Sequence, residues 1–245
     1  MVSSGPDRRD AVLRHIVRYG LTLRPVLVRL FYRGHENSLD RDLERMREYG
    51  WINAVEAAVP EELEPNTRYS YYQLATAGAR RIGAAKSRTR KVGGEALSRN
   101  LAFLWFCCMQ RTRRHRLNEK DLVDLFGRQN VYAEDSADKD SLRLRGFHCL
   151  DRQSKGHRIL NLYAPRTSPT DVLAELRKRI HDLREIPVLR EALAAHKYGF
   201  AILTETDQLR DTLREELTKP IADEGVVFVL TKSPGPWKER RHDDD

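Results

Sequence analysis

The sequence predicts a mixed α/β chain, α+β overall, in which a winged helix-turn-helix domain precedes an α/β domain with a mixed sheet. Two observations predict this class. Residues 7–83 carry three short amphipathic helical patterns, then a polar stretch and an aromatic run, which is the order of three helices and a hairpin. Residues 95–232 hold a hairpin pattern, followed by helical patterns that alternate with short apolar runs. Such an order is expected of a mixed sheet flanked by helices.

Each of the three N-terminal helices has its own start or stop signal. The first ends at Gly20, because glycine readily adopts the left-handed conformation that closes a helix. The second is expected to begin at Thr22, since threonine is a favoured N-cap. The third is expected to begin at Ser38 and to end before Gly50, with its apolar residues at the spacing of one buried face. The sequence therefore predicts a small core that exposes one side of the third helix.

The exposed side of the third helix is the predicted DNA-reading surface. Arginine and asparagine side chains suit paired hydrogen bonds to guanine and adenine edges, and a helix N-terminus offers free amides to a phosphate. The predicted contacts on this helix are Asn37, Ser38, Arg41 and Arg45. Acids alternate with these residues, so an ordinary solvated helix face with internal ion pairs is the alternative interpretation. A protein-interaction domain is the corresponding alternative for the whole module.

Basic residues outside the helices extend the predicted DNA contact. Arg68 precedes the aromatic strand Tyr69–Leu74 and is the candidate contact in the wing. Residues 84–94 are expected to form a basic linker that lies along the phosphate backbone, where neutralised phosphates release counterions. A plain solvated linker is the alternative. The predicted backbone contacts in this linker are Lys86, Arg88, Arg90 and Lys91.

Composition sets the limits of the function. The chain has 245 residues, a formal net charge of +8 and a calculated pI near 9.5, which favours a polyanionic partner. Its three cysteines form neither a disulfide framework nor a zinc-binding spacing. Neither a signal peptide nor a long apolar run is recognisable, so we expect a cytoplasmic, nucleoid-associated protein without a membrane or a cofactor.

The second domain is expected to start at an apolar helix, residues 95–110. A hairpin follows, with its turn at residues 151–156, and then a long helix that Pro187 interrupts. Residues 200–204 and 225–231 are expected to form two buried strands, and residues 233–245 a disordered tail.

The order of these elements over residues 8–232 resembles that of bacterial plasmid replication-relaxation proteins. The most specific piece is the run Tyr71–Gly78, which is similar to the end of the wing and the next helix in that family. The resemblance implies that the second domain adopts the restriction-endonuclease-like, PD-(D/E)XK fold. Nucleases of that fold hold a divalent metal with an aspartate on one strand and a Glu-x-Lys pair on the next.

The resemblance also implies that the nuclease site is degenerate. Asp151 falls at the first carboxylate, but Asn161 and Tyr163 stand where the acid and lysine are expected. A neutral amide and a phenol lack the charge that the chemistry needs. Asp171 and Glu175 on the following helix are the nearby acids that could compensate. A metal cluster of His148, His157 and Asp151 is a further possibility, against the simpler interpretation of surface histidines beside a turn.

We therefore expect a non-enzymatic, sequence-specific protein that binds double-stranded DNA, in plasmid or mobile-element replication or in transcription regulation. A homodimer is expected, because the apolar helix is hydrophobic around much of its circumference and winged domains pair on half-sites. A helix that is simply central to the second domain is the alternative interpretation. The second domain is then available for a replication or transcription partner. The alternative is a metal-dependent nuclease or nickase with a displaced site, whose catalytic residues would be Asp151, Asp171 and Glu175.

Overall fold

The computed structural model describes residues 5–58, 69–132, 144, 146–153, 156–217, 226–234 and 238–239. The chain divides into two compact units, Met1–Gln110 with Pro234–Asp245, and Arg111–Ser233. Each unit contains one sheet together with helices, so the mixed α/β class predicted from the sequence is confirmed.

The first unit begins with three helices that share one apolar core. They are α1 (Gly5–Tyr19), α2 (Arg24–Phe31) and α3 (Glu36–Glu48). Gly20 has φ +81° and Gly50 has φ +61°, so glycine follows α1 and α3 at the predicted places. The core of this region joins Leu13, Leu27 and Leu39 from the three helices, all of them fully buried.

Two helix starts differ from the prediction. Thr22 is no N-cap: it lies in the short strand β1 (Thr22–Leu23), and its buried Oγ1 is 3.1 Å from His15 Nε2. Helix α2 starts after Leu23, whose side chain cannot cap it. Helix α3 begins at Glu36, two residues before Ser38. The first difference arises from the pairing of Thr22 with Tyr72 on the neighbouring strand, which overrides local capping preference.

The hairpin predicted after α3 consists of β2 (Ile52–Ala58) and β3 (Tyr69–Leu74), which are antiparallel. Strand β1 pairs with β3, and the two-residue strand β9 (Lys238–Glu239) pairs with β2, so the sheet order is β1-β3-β2-β9. The strand β9 lies within the stretch expected to be a disordered tail. Arg68 and the rest of residues 59–68 lie outside the described residues.

After the hairpin come α4 (Thr76–Arg81), a 3₁₀ helix (Lys86–Thr89) and α5 (Gly94–Cys108). The predicted linker therefore contains a helical turn, which contacts α4 and β3. Helix α5 groups with the first unit, because it packs against α1 and α2, whereas the sequence interpretation assigned it to the second domain.

The end of α5 is held by a side chain from α2. The guanidinium of Arg29 donates to the carbonyl oxygens of Met109 and Gln110, the second of these at 2.7 Å. Most apolar residues of α5 are buried within the single chain, including Leu104 and Phe106. The apolar circumference of this helix thus no longer argues for a homodimer.

The second unit is a five-stranded mixed sheet with order β4-β5-β6-β7-β8. The first three strands are antiparallel neighbours, and the last three run parallel with helices between them. The elements are β4 (His115–Leu117), α6 (Glu119–Phe126), α7 (Arg128–Val131), β5 (Phe147–Gln153), β6 (Gly156–Tyr163), α8 (Pro169–Arg184), α9 (Pro187–Ala194), β7 (Tyr198–Thr204), α10 (Asp207–Leu217) and β8 (Val227–Lys232).

Local signals account for several of these elements. Asn118 and Asp121 form a capping box at α6, and Ser168 caps α8 with Pro169 as its first residue. Pro187 separates α8 from α9, as predicted. Strand β7 is buried throughout, whereas β8 is only half-buried, because it is the last strand of the sheet and pairs with β7 alone.

Candidate functional site

The outer surface of α3, defined by Asn37, Ser38, Arg41 and Arg45, is the first candidate site. Leu39, Leu43 and Met46 are buried beneath it, so these four residues lie toward solvent, Ser38 only in part. Arg41 Nε donates to the backbone oxygen of Asn37 at 3.3 Å. Arg45 forms no ion pair with any residue that the structure describes. Because α3 starts early, the Ser38 amide already donates to His35 O, at 3.1 Å.

Two acids at the start of α3 are held by one arginine at the start of α2. The guanidinium of Arg24 donates to both carboxylate oxygens of Asp40, each at 3.0 Å, and to Glu36 Oε2 at 3.2 Å. These hydrogen bonds lower the pKa of Asp40 below its ordinary value, and they raise the pKa of Arg24. The side chains of Arg24, Glu36 and Asp40 are each more than one-third exposed, so their ion pairs add at most about 1 kcal/mol to folding stability.

The third acid of this part of α3 is directed toward other helices. The Tyr32 hydroxyl donates to Asp42 Oδ2 at 2.8 Å, and Arg9 Nε lies 3.8 Å from Oδ1. Burial of Tyr32 and its hydrogen bond to Asp42 raise the pKa of the phenol. The Asp42 side chain is only 14% exposed, so its charge is removed from the outer surface of α3.

The basic segment, residues 86–91, remains open to solvent. Lys86 and Arg88 lie in the 3₁₀ helix, and Arg90 and Lys91 follow it, with all four side chains exposed. The hydroxyl of Thr89 donates to Lys86 O at 2.8 Å and closes the turn. The third predicted contact region, around Arg68, lies outside the described residues. The first unit therefore presents exposed arginine or lysine side chains in two places, on α3 and on the basic segment.

In the second unit a polar cluster is buried against one face of the sheet. His148 on β5 lies opposite Asn161 on β6. Asn161 Nδ2 is 3.0 Å from His148 Nε2, and the Tyr198 hydroxyl is 2.8 Å from the same nitrogen. An amide nitrogen only donates, so Nε2 accepts and the imidazole is neutral. Burial, together with the positive charge of Arg179, lowers the pKa of His148 to about 4.

The cluster extends to the surface through α8. Arg179 Nη1 donates to Asn161 Oδ1 at 3.4 Å, while Nε and Nη2 donate to Glu175 Oε1 at 3.0 and 2.5 Å. The Tyr163 hydroxyl donates to the other Glu175 oxygen at 2.7 Å. These donors lower the pKa of Glu175, with Tyr163 contributing most. Both carboxylate oxygens of Glu175 thus already have protein partners.

The three acids of the nuclease alternative are not brought together. Asp151 lies opposite Arg158. It follows His148 by three residues on β5, so the two side chains lie on opposite faces of the sheet. Asn161 pairs with His148 and shares its face, so Asp151 and Asn161 are also on opposite faces. Glu175 and Asp171 lie on α8. This helix contacts the sheet face that carries Asn161, through Arg179 and Glu175. Asp171 accepts from the Ser168 hydroxyl at 2.7 Å. No group of potential metal ligands is found among the described residues.

The histidines also differ from their sequence interpretation. His148 is 1% exposed and belongs to the polar cluster, whereas His157 is exposed and lies opposite Arg152. The two histidines are on opposite ends of β5 and β6 and form no cluster with Asp151. The surface interpretation therefore holds for His157 alone. A signal was present, because Phe147, Cys149 and Leu150 make the surroundings of His148 apolar, and a polar side chain in such a strand needs a buried partner.

Asp151 lies in strand β5, not in the predicted turn, because the hairpin register continues to Gln153 opposite Gly156. Its carboxylate lies 2.9 Å from Arg114 Nε, and both side chains are buried. Asp151 therefore forms a buried ion pair within the second unit.

No protein-family model, curated protein or solved structure matches this chain. None of the helices in the described parts of the chain combines the length and apolar character that a bilayer crossing requires.

Proposed function

We propose that this chain is a non-enzymatic, sequence-specific protein that binds duplex DNA through a winged helix-turn-helix in its first unit. The observation that carries the proposal is the element order α1-β1-α2-α3-β2-β3 with the strand order β1-β3-β2. This order presents α3 as an exposed helix beside a two-stranded hairpin, as a major-groove-reading module requires. The resemblance noted in the sequence supports the same proposal.

Charge supports the same proposal. The acids Glu36, Asp40 and Asp42 are all engaged by side chains from α1, α2 or the loop after α2. Arg41 and Arg45 on the same helix have no acidic partner among the described residues. In the first half of α3 the acids are thus held by other side chains, whereas Arg41 is left to meet a polyanion. The basic segment adds exposed cations for phosphate contacts that do not depend on sequence.

The second unit enters this proposal without a catalytic role. Its sheet, with antiparallel strands followed by a helical crossover to parallel strands, suits the nuclease-like fold that the resemblance implies. Two of the acids that the nuclease alternative needs as metal ligands contact other side chains. Asp151 pairs with Arg114, and Glu175 contacts Arg179 and Tyr163. We place the biological role in plasmid or mobile-element replication or in transcription regulation.

Binding of the purified full chain to duplex DNA tests the proposal directly. Fluorescence anisotropy with a random-sequence duplex, repeated over a series of salt concentrations, is expected to give a linear fall of log affinity with log salt. Selection from a random duplex library is then expected to enrich one motif, and a duplex carrying it should bind more tightly than the random duplex. No binding at low salt would refute the proposal, and binding without any enriched motif would refute its sequence specificity.

A further inference from the structure

Glu36 and Asp40 lie one helical turn apart on α3, in the turns that carry Asn37 and Arg41. Both acids are substantially exposed, at 57% and 54% of their side-chain surface. Unopposed, they would present two negative charges beside the residues proposed to meet DNA. Phosphates would be repelled, because like charges brought together across an interface cost binding free energy.

Arg24 is placed to cancel much of this repulsion. Its planar group uses three nitrogens on the two acids, with a two-bond contact to Asp40 and a single bond to Glu36. Arg24 is the first residue of α2, and Pro25 follows it, so the backbone that carries it is fixed relative to the helix start. A planar, permanently charged group suits this double contact better than a lysine ammonium.

Stability alone does not account for the contact. An ion pair this exposed contributes little to folding, since water screens the charges. The contact has a larger effect on the surface charge of α3 than on folding stability. Two carboxylates on this helix are held by one guanidinium that belongs to α2. Farther along α3, Glu44 and Glu48 have no described ion-pair partner, so the part in which a cation opposes the acids is the N-terminal half with Asn37 and Arg41.

We propose that Arg24 is a positioning residue for DNA binding: it holds Glu36 and Asp40 so that the N-terminal half of α3 can approach a phosphate backbone. This inference rests on the proposed DNA-binding function and adds a residue that the sequence did not single out. Arg24 acts through the two acids and makes no phosphate contact of its own.

Four full-length proteins test the inference: the wild type, Arg24→Gln, the double variant Glu36→Gln/Asp40→Asn, and the triple variant that combines them. Arg24→Gln is expected to weaken duplex binding by roughly tenfold, the scale of an uncompensated like-charge contact. The triple variant is expected to bind at least as tightly as the wild type and within about threefold of the double variant, since the acids through which Arg24 acts are gone. Arg14→Ala, which removes an exposed arginine of α1, is the control for lost net charge.

Two readouts separate this role from the alternatives. A direct phosphate contact would lower the salt slope of Arg24→Gln by about one and would make the triple variant clearly weaker than the double variant, and either result would overturn the proposal. Wild-type affinity in Arg24→Gln would overturn it as well. Melting temperatures within a few degrees of one another are expected for the four proteins, and rescue in the triple variant excludes a loss caused by unfolding. Absence of binding by the wild type at low salt would refute the DNA-binding function itself, a result distinct from the others.

Discussion

The carboxylate of Asp151 lies 2.9 Å from Nε of Arg114, with only 1% and 10% of the two side chains exposed. This ion pair joins the strand β5 to the residue just before β4, and it lies on the sheet face opposite Asn161. An aspartate that holds a buried arginine is a structural residue of the second unit.

We predict that Asp151→Ala lowers the free energy of unfolding by about 3–5 kcal/mol, because it leaves the buried Arg114 charge without its partner. Urea unfolding of the variant measures this loss, with Asp182→Ala on the exposed side of α8 as the control. Arg114→Ala is expected to cost a similar amount, and the double variant less than the sum of the two. A loss below about 1 kcal/mol for Asp151→Ala would contradict the assignment, since that is the range of exposed pairs.

We predict no cleavage of supercoiled or linear DNA with magnesium or manganese. Hard cations need free carboxylate oxygens, and those of Glu175 are occupied by Arg179 and Tyr163. Because Asp151→Ala is expected to destabilise the protein, the informative variants for this assay are Glu175→Gln and Asp171→Asn. Metal-dependent cutting that Glu175→Gln abolishes and Asp182→Ala retains would establish the nuclease alternative.

The third prediction concerns pH and His148, whose pKa is about 4 in the folded protein and 6.5 when unperturbed. The unfolded chain takes up this proton first as pH falls. The stability is therefore complete above pH 6.5 and falls by about 3 kcal/mol between pH 6.5 and 4. The proton would have to enter between the Asn161 amide and the Tyr198 hydroxyl, in a site that Arg179 makes positive.

His148→Gln removes the titrating group and leaves an amide in its place. The difference in unfolding free energy between the wild type and this variant, measured from pH 4 to 7, is expected to change by that same amount. His181→Gln removes an exposed histidine and serves as the control. A pH-independent difference for His148→Gln would show that the imidazole is not buried in its neutral form.

The fourth prediction separates base contacts from phosphate contacts. Arg41→Ala and Arg45→Ala are expected to weaken binding to the selected duplex by about 1–3 kcal/mol each, with a smaller effect on random duplex. Arg88→Ala and Arg90→Ala are expected to weaken binding to all duplexes alike and to lower the salt slope by about one each. Anisotropy with both duplexes measures the four variants, with Arg14→Ala as the control. Equal effects of all four on both duplexes would show that α3 does not read bases.

The apolar periodicity of the helices and the glycine or proline residues at their ends were predictable from the sequence, because both are local features. The ends of α1 and α3 at glycines and the break at Pro187 follow from neighbouring residues. The two antiparallel strands after α3 were predictable in the same way, from the length and aromatic content of the return strand.

The rest depends on partners distant in the chain. Thr22 pairs with Tyr72 and is therefore a strand residue, although its type favours an N-cap. Asp151 faces Arg114, and His148 faces Asn161 and Tyr198, because of a hairpin register that the sequence alone left uncertain. A shift of one residue in register exchanges the two faces of a strand, so the sequence alone does not determine which face carries Asp151.

The last prediction concerns Gly78, which lies buried in α4. In an exposed helix interior, glycine to alanine stabilises by about 0.5–1 kcal/mol. Here a Cβ at position 78 would lie 2.2 Å from the backbone oxygen of Trp51, an atom that also accepts the Ala75 amide at 2.9 Å. Backbone cannot move aside as a flexible side chain can. Gly78→Ala is therefore expected to destabilise the first unit by about 1–3 kcal/mol, the usual range for overpacking.

Gly94→Ala at the start of α5 is the matched control, because a Cβ there meets nothing within 4 Å. That variant is expected to be neutral or slightly stabilising. Thermal and urea unfolding measure the change in stability of each variant relative to the wild type. If α4 approaches Trp51 as described, Gly78→Ala lowers the stability, whereas Gly94→Ala leaves it unchanged or raises it slightly. A Gly78→Ala protein as stable as Gly94→Ala would show that α4 lies farther from Trp51, and with it that the hairpin and α4 do not share this contact.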